Sequence, residues 1–228
     1  MFNKTKLTSV ENIAIITARA GSQRIKNKNI KFFFGKPVIA YSIKCALKSK
    51  LFSRVIVSTD SKKIKKISLS YGAEVPFKRP KKISNSSSGT VSVIRHAIRK
   101  MKLTKKNLNI CCVYPVTPFV NLSLLKKTFL IFKKKKIDFL LPMSKCKNYN
   151  EAKFFSLNKN GHLTKNTKNK NLFFKDTGQF YWGKSASWLK NESVFSGKTV
   201  PFIVSNKFID VNTEEDWKNL ERKFKKKK

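Results

Sequence analysis

Asn12-Ile13-Ala14-Ile15-Ile16-Thr17-Ala18 runs directly into Arg19-Ala20-Gly21-Ser22-Gln23-Arg24-Ile25-Lys26-Asn27-Lys28-Asn29. A short, isoleucine-rich run with few polar positions reads as a strand buried on both faces, as in a parallel sheet. In an open α/β sheet, ligands bind outside the carboxyl ends of such strands. The loop that follows fits that place: Gly21 and Ser22 free backbone amides for phosphate oxygens, while Arg19, Arg24 and Lys28 supply charge-assisted bonds. Its spacing matches neither G-x-x-x-x-G-K-[ST] nor G-x-G-x-x-G. On this segment alone, a solvated basic loop in a lysine-rich chain is an equal reading.

Outward from this stretch, strand and helix signals alternate. Residues 38–47 (VIAYSIKCAL) repeat apolar side chains at helical spacing, with Pro37 expected as the first helical position. Residues 54–59 (RVIVST) read as a second buried strand. Residues 60–71 read as a helix capped by Asp60 or Ser61 and stopped by Gly72. Residues 91–101 (helix), 109–114 (strand), 123–132 (helix) and 138–143 (strand) continue the series. The class predicted is α/β: three layers, a mostly parallel sheet with helices on both faces. Residues 144–175 break the pattern with polar, asparagine- and lysine-rich sequence and are expected to form an excursion, a hairpin arm. Residues 178–182, residues 200–204 and a helix from about Glu214 return to the core. One domain over residues 12–221 and a basic tail over residues 222–228 are expected, with no internal repeat.

At 228 residues and 40% apolar, the chain can bury a sizeable core. It has 51 Lys+Arg against 12 Asp+Glu, a formal net charge of +39. This excludes an acidic buffer protein and a sparsely hydrophobic disordered tail. The lysines are spread along the chain instead of forming one stripe. The apolar set also leans on 19 Phe against 5 Tyr and 3 Trp. Lys, Asn, Ile and Phe have AT-rich codons, so compositional drift with small anionic substrates is preferred over nucleic-acid binding. Cys45, Cys111, Cys112 and Cys146 have no C-x-x-C spacing, so neither zinc nor a disulfide framework is expected. Cys111 and Cys112 read as buried thiols. No run reaches the roughly 18 apolar residues of a membrane span. The first twelve residues lack the apolar core of a signal peptide. A soluble, cytoplasmic protein without membrane contact is expected.

The loop after the first strand resembles the A-R-x-x-S-K-x-[IL]-x-x-K-N signature of the acylneuraminate cytidylyltransferases. Gly35-Lys36-Pro37 with Ile39-Ala40-Tyr41, then Arg54-Val55-Ile56-Val57-Ser58-Thr59-Asp60, are similar to the next motifs of that family. So are Tyr71-Gly72-Ala73-Glu74-Val75-Pro76-Phe77 and Arg79-Pro80. Asp176-Thr177-Gly178-Gln179-Phe180-Tyr181-Trp182-Gly183 and Cys111-Cys112-Val113-Tyr114 resemble its pseudaminic acid branch, since the sialic acid enzymes carry Gln at the Tyr114 position. The resemblance spans about residues 12 to 221.

The resemblance implies a Rossmann-like nucleotidyltransferase fold, an excursion used for dimerisation, and a homodimer. It implies attack by the anomeric hydroxyl of an acidic nine-carbon sugar on the α-phosphate of CTP, with Mg2+ as cofactor, for surface glycans. Pseudaminic acid is the sugar favoured, with sialic or legionaminic acid as alternatives. A weakly active or inactive homologue and a basic nucleic-acid-binding protein are further alternatives. Arg19, Ala20, Gly21, Ser22, Gln23, Lys28 and Asn29 would hold triphosphate and ribose, and Arg79, Ser88, Thr90 and Tyr114 the cytidine side. Arg19, Lys28 and Asp210 would be catalytic. Asp176, Gln179 and Tyr181 would face the sugar, and Asp210 and Asn212 the metal. Either a metal-bound hydroxide or Asp210 would take the sugar's proton. For Asp60, a helix cap and help at the metal site are equal readings. Glu214, Glu215 and Asp216 are read as first-turn acids of the last helix, and His96 as structural. Gln23 stands where the signature has Lys, Asn212 where it has a second Asp, Thr17 where it has Pro, and Asn85 and Ser86 where acids are common.

Overall fold

The isoleucine-rich run forms β1 (Glu11–Thr17), buried through its middle. It pairs in parallel with β4 (Arg54–Ser58) on one side and β5 (Leu108–Val113) on the other, so Ile13 stands opposite both Arg54 and Ile110. The computed structural model describes residues 10–104, 108–118, 120, 122–146, 154–164, 173–204 and 211–226. Beyond β5 lies β10 (Phe180–Lys184), antiparallel to it, and then β6 (Phe139–Cys146), antiparallel to β10. β11 (Thr199–Val204) runs parallel along the other edge of β6. Five strands of this central sheet therefore point one way and β10 opposes them. The sheet is mixed and mostly parallel, as expected.

Alternate residues of β1 face opposite layers. Ala14 and Ile16 pack toward α1 (Ile39–Ser49), α2 (Lys62–Ser70) and α4 (Leu122–Lys134), through Ile43, Ile64 and Leu125. Ile13 and Ile15 pack toward α3 (Thr90–Lys100) and α5 (Ser185–Lys190), through Ile94, Ile98 and Trp188. Each buried isoleucine contributes about 1.5–3 kcal/mol of transfer free energy. Two faces covered from two sides is what a near-continuous apolar strand requires. Cys111 and Cys112, adjacent on β5, are buried free thiols, one in each layer. Among the described residues, no helix is long and apolar enough to cross a membrane.

Several local expectations shift. Pro37 is not helical: it lies in β3 (Lys36–Pro37), which forms a small hairpin with β2 (Phe32–Phe33) ahead of α1. The hairpin turn carries Gly35 at φ +82, where a side chain would be strained. Ser61, not Asp60, caps α2 by accepting from Ile64 N. β6 runs on to Cys146, three residues into the expected excursion. β9 (Phe173–Asp176) pairs with β6 and with β7 (Phe154–Leu157), which pairs with β8 (Leu163–Thr164). The described part of the excursion is thus an antiparallel extension of the main sheet. α6 (Glu214–Lys225) takes in four residues of the expected basic tail, and Phe224 packs against Phe33.

Candidate active site

β1 ends at Thr17, and Ala18 N still donates to Ser58 O, 3.0 Å away. The loop beyond it is tied down from three sides. Asp60 at the end of β4 accepts from Ala20 N at 2.9 Å. The buried Asn29 donates to Arg19 O at 2.8 Å. Ile25 is buried with Val211 and Trp217 in a third apolar cluster. The start of α6 completes the fastening: Lys28 Nζ donates to Val211 O at 2.7 Å, Arg24 Nη2 to Asn212 Oδ1 at 3.0 Å, and Lys31 pairs with Glu214 at 2.5 Å. The first and last parts of the described chain thereby form two lips of one cleft.

That cleft encloses about 320 Å³. Of the residues singled out from sequence, Arg19, Ser22, Gln23, Lys28 and Asn29 line it from the loop. Arg79, Ser88, Thr90, Tyr114 and Asn212 line it from the other walls. Ala20 and Gly21 do not line it; the Ala20 amide is spent on Asp60, so it is not presented inward. Asp210 lies outside the described residues. His96 packs edge-on against Phe77 and lines neither this cleft nor the cavity beside it.

Arg79 has the least ordinary environment. It is 3% exposed, and its Nε and Nη2 have no hydrogen-bond partner. Burial lowers its pKa, the Asp60 charge opposes that, and Arg19 adds to it. A guanidinium remains protonated in proteins, so the cleft wall holds a buried cation with two donors unanswered. Such donors are costly unless a ligand meets them. Nearby, Asn85 Oδ1 accepts from Ser88 N at 2.8 Å and from the Ser87 and Ser88 hydroxyls at 2.9 and 2.7 Å. Asn85 thus folds the loop leading to Thr90. The Asn-Ser-Ser-Ser-Gly run is the signal for this side-chain-to-backbone turn.

A second cavity of about 390 Å³ shares Thr90, Tyr114 and Gly178 with the cleft. Asp176 and Tyr181 line it. Its far wall holds Phe155 and Phe195, rings stacked 4.1 Å apart, with Val194. This aromatic pair joins β7 to a loop forty residues away and had no local signal. Gln179 does not face either space. It is 2% exposed, its Nε2 donates to Thr177 Oγ1 at 3.0 Å, and its backbone carbonyl accepts from Tyr114 N at 2.9 Å. Gln179 therefore helps to build the wall through its backbone, and its side-chain Oε1 is buried without a hydrogen-bond partner.

The wall itself is a break in pairing. Trp182 lies opposite Leu140 of β6, but Asp176 lies opposite Met143, so the register slips by three residues between β10 and β9. Residues 177–179 bulge out at the slip, with Gly178 at φ +58. Bulges of this kind re-aim side chains beside active sites.

For a divalent cation the described residues make a poor fit. Among the described residues, the cleft lining contains Arg19, Arg24, Lys28 and Arg79 and no carboxylate. Asn212 Oδ1 accepts from Arg24, and Asp216 accepts from Asn212 N and Thr213 N at the helix cap. No group of three acidic, histidine or cysteine side chains suited to a metal occurs among the described residues. The arrangement suits a polyanion in the cleft and a partly apolar molecule beside it, with the two meeting at Thr90, Tyr114 and Gly178.

A family model described as cytidylyltransferase matches residues 13–209. The pseudaminic acid cytidylyltransferase of Campylobacter jejuni subsp. jejuni is 32% identical over 217 residues, covering 91% of this chain and 93% of that protein. The CMP-N,N'-diacetyllegionaminic acid synthase of Legionella pneumophila is 28% identical over 92% of this chain and 94% of its own length. Among solved structures, CMP:2-keto-3-deoxy-manno-octonic acid synthetase complexed with CTP aligns with a TM-score of 0.75 at 13% identity. It covers 96% of this chain and 100% of that one, a likeness of fold.

Proposed function

The chain belongs to the cytidylyltransferase family, and from that premise we propose that it transfers CMP from CTP to the anomeric hydroxyl of pseudaminic acid, releasing pyrophosphate. The observation that carries the reading is buried Arg79, with Nε and Nη2 unpartnered at the wall of a cleft lined by three further cations. A cytosine presents adjacent acceptors to such a fork, while Arg19, Arg24 and Lys28 neutralise a triphosphate. Catalysis of this transfer is chiefly positioning and charge neutralisation. Mg2+ belongs to the proposal as an ion that Asp210 and Asn212 would hold, where it would neutralise charge on the triphosphate. The described residues alone do not form its site.

The second cavity supports the choice of sugar. Phe155, Phe195 and Val194 offer apolar surface suited to N-acyl methyls and a deoxygenated terminal carbon, groups that pseudaminic acid carries. A sialic acid would bring a hydroxylated tail to the same wall and leave hydroxyls unanswered. Legionaminic acid shares those apolar groups and is kept as a second reading, in line with the Legionella relative. The reading also includes a homodimer and a cytoplasmic place in surface-glycan synthesis.

The test is pyrophosphate release with CTP, Mg2+ and each of pseudaminic, legionaminic and N-acetylneuraminic acids. Turnover is expected with the first two and much less with the third. The Asn212→Asp chain, run in parallel, reports whether a second carboxylate beside the cleft raises the rate. No turnover by either chain with any sugar acid overturns the proposal.

A further inference from the structure

A hydroxyl that attacks phosphorus must lose its proton. We propose that Asp176 is the group that takes it, a catalytic carboxylate lining the second cavity and bonded to Gly178 on the seam with the nucleotide cleft. This rests on reading those two spaces as the CTP and sugar-acid sites. Among the described residues, the carboxylates lining either space are Asp176 and Glu192. The Glu192 side chain is 86% exposed and paired with Arg95 at 3.0 Å, so it lies at the solvent rim.

Asp176 is placed differently. It ends β9 where the register slips, so its backbone is fixed by Met143 of β6. Its Oδ1 accepts from Gly178 N at 3.0 Å, and its Oδ2 accepts from the Tyr181 hydroxyl. Gly178 lines both spaces, so the carboxylate is oriented by a donor on the seam itself. Tyr181 packs edge-on to Tyr114 at 5.3 Å, and the Tyr114 hydroxyl bonds Thr90 Oγ1 at 2.7 Å. Thr90, Tyr114, Tyr181 and Asp176 thus form a line from the nucleotide side to the sugar side, with a hydroxyl hydrogen bond at each end and a ring contact between.

Among the described residues, the titratable groups around Asp176 include Tyr181, Tyr114 and Cys112, with Lys175 and Glu192 on the cavity wall. Burial pushes Tyr181, Tyr114 and Cys112 well above their ordinary values, so all three keep their protons near neutrality. Tyr181 therefore stays a donor, and Asp176 is the acceptor of the set. In the step, the anomeric oxygen forms its bond to the α-phosphorus. The bond from that phosphorus to the bridging oxygen breaks, and pyrophosphate leaves with the electron pair. The hydroxyl proton passes to the Asp176 carboxylate and then to water. An aspartate plays this part in other hydroxyl-to-phosphorus transfers.

Asp176→Asn keeps the shape and an acceptor oxygen but removes the base. The expected result is a kcat lower by about 100-fold or more, loss of the acid limb of the kcat–pH profile, and CTP affinity unchanged by calorimetric titration. A carboxylate that only holds the sugar would instead raise KM and leave kcat and the acid limb intact, which overturns the assignment. Should the Asn chain fail to fold, Tyr181→Phe carries the test. Removing a donor from Oδ2 makes the carboxylate more basic and moves the acid limb to higher pH, whereas an unmoved limb counts against the role. A natural chain that shows no turnover overturns the proposed function as well; a working natural chain with an equally fast Asn variant overturns this inference alone.

Discussion

Arg79 carries its charge where the fold gains little from it, with two donors buried and unanswered. Replacing an unpaired buried cation by a hydrophobe of similar length is often neutral or stabilising. Arg79→Met is therefore expected to melt at the same temperature or higher while losing CTP affinity. Charge-assisted hydrogen bonds are worth about 1.5–3 kcal/mol, or about 10- to 100-fold in Kd. Calorimetric titration beside a thermal melt checks both halves. Unchanged affinity would remove Arg79 from the nucleotide site. At this scale the loop after β1 was readable as a segment facing one space: Arg19, Ser22, Lys28 and Asn29 all line the cleft. It was unreadable where the role depends on a distant partner. The Ala20 amide is taken by Asp60, and Arg24 meets Asn212, 188 positions away.

Among the elements, α6 is positioned by a capping box: Thr213 accepts from Asp216 N at 3.1 Å, and Asp216 accepts from Thr213 N at 2.7 Å. Thr213→Ala is expected to cost about 1 kcal/mol in urea unfolding. Burial works against the Asp216 charge, but the N–H groups of Asn212 and Thr213, its side-chain bond with Thr213 and the Arg24 charge outweigh it. Its carboxyl lies below the usual aspartate range. The unfolded chain takes up that proton at higher pH, so this stabilisation is complete above the ordinary range and is lost as pH falls through the folded value. Comparing urea midpoints at pH 7 and about pH 3, Asp216→Asn should show a shallower loss than the natural chain; equal losses would contradict this. β10 gives a second test. A Cβ on Gly183 would stand 2.6 Å from Phe139 Cδ1 and from Trp188 Nε1. Gly183→Ala should thus destabilise by about 1–3 kcal/mol through overpacking, read from the same unfolding curves. Strands β1, β4 and β5 were legible as Ile/Val runs. The antiparallel sense of β10, the β2–β3 hairpin around Pro37 and the three-residue register slip were not, because pairing partners leave no trace in a strand's own period.

For the molecule as a whole, a net charge of +39 sets the solution behaviour. The described ion pairs are Lys31–Glu214, Arg54–Glu74 and Arg95–Glu192, each with a partner well exposed, so they offset little of the repulsion. Screening should relieve it: raising NaCl from about 50 mM to about 500 mM, which shortens the Debye length severalfold, is expected to raise Tm. A falling Tm would mean that attractive pairs dominate instead. The fold positions this charge usefully in one place, a cleft whose described lining is cationic, sharing a wall with an aromatic-lined cavity. Soaking crystals of the protein with CTP tests that claim most directly. The account predicts cytosine within hydrogen-bond distance of Arg79 Nε and Nη2, and phosphates among Arg19, Arg24 and Lys28. A nucleotide bound elsewhere, or a cleft empty at saturating CTP, would contradict it.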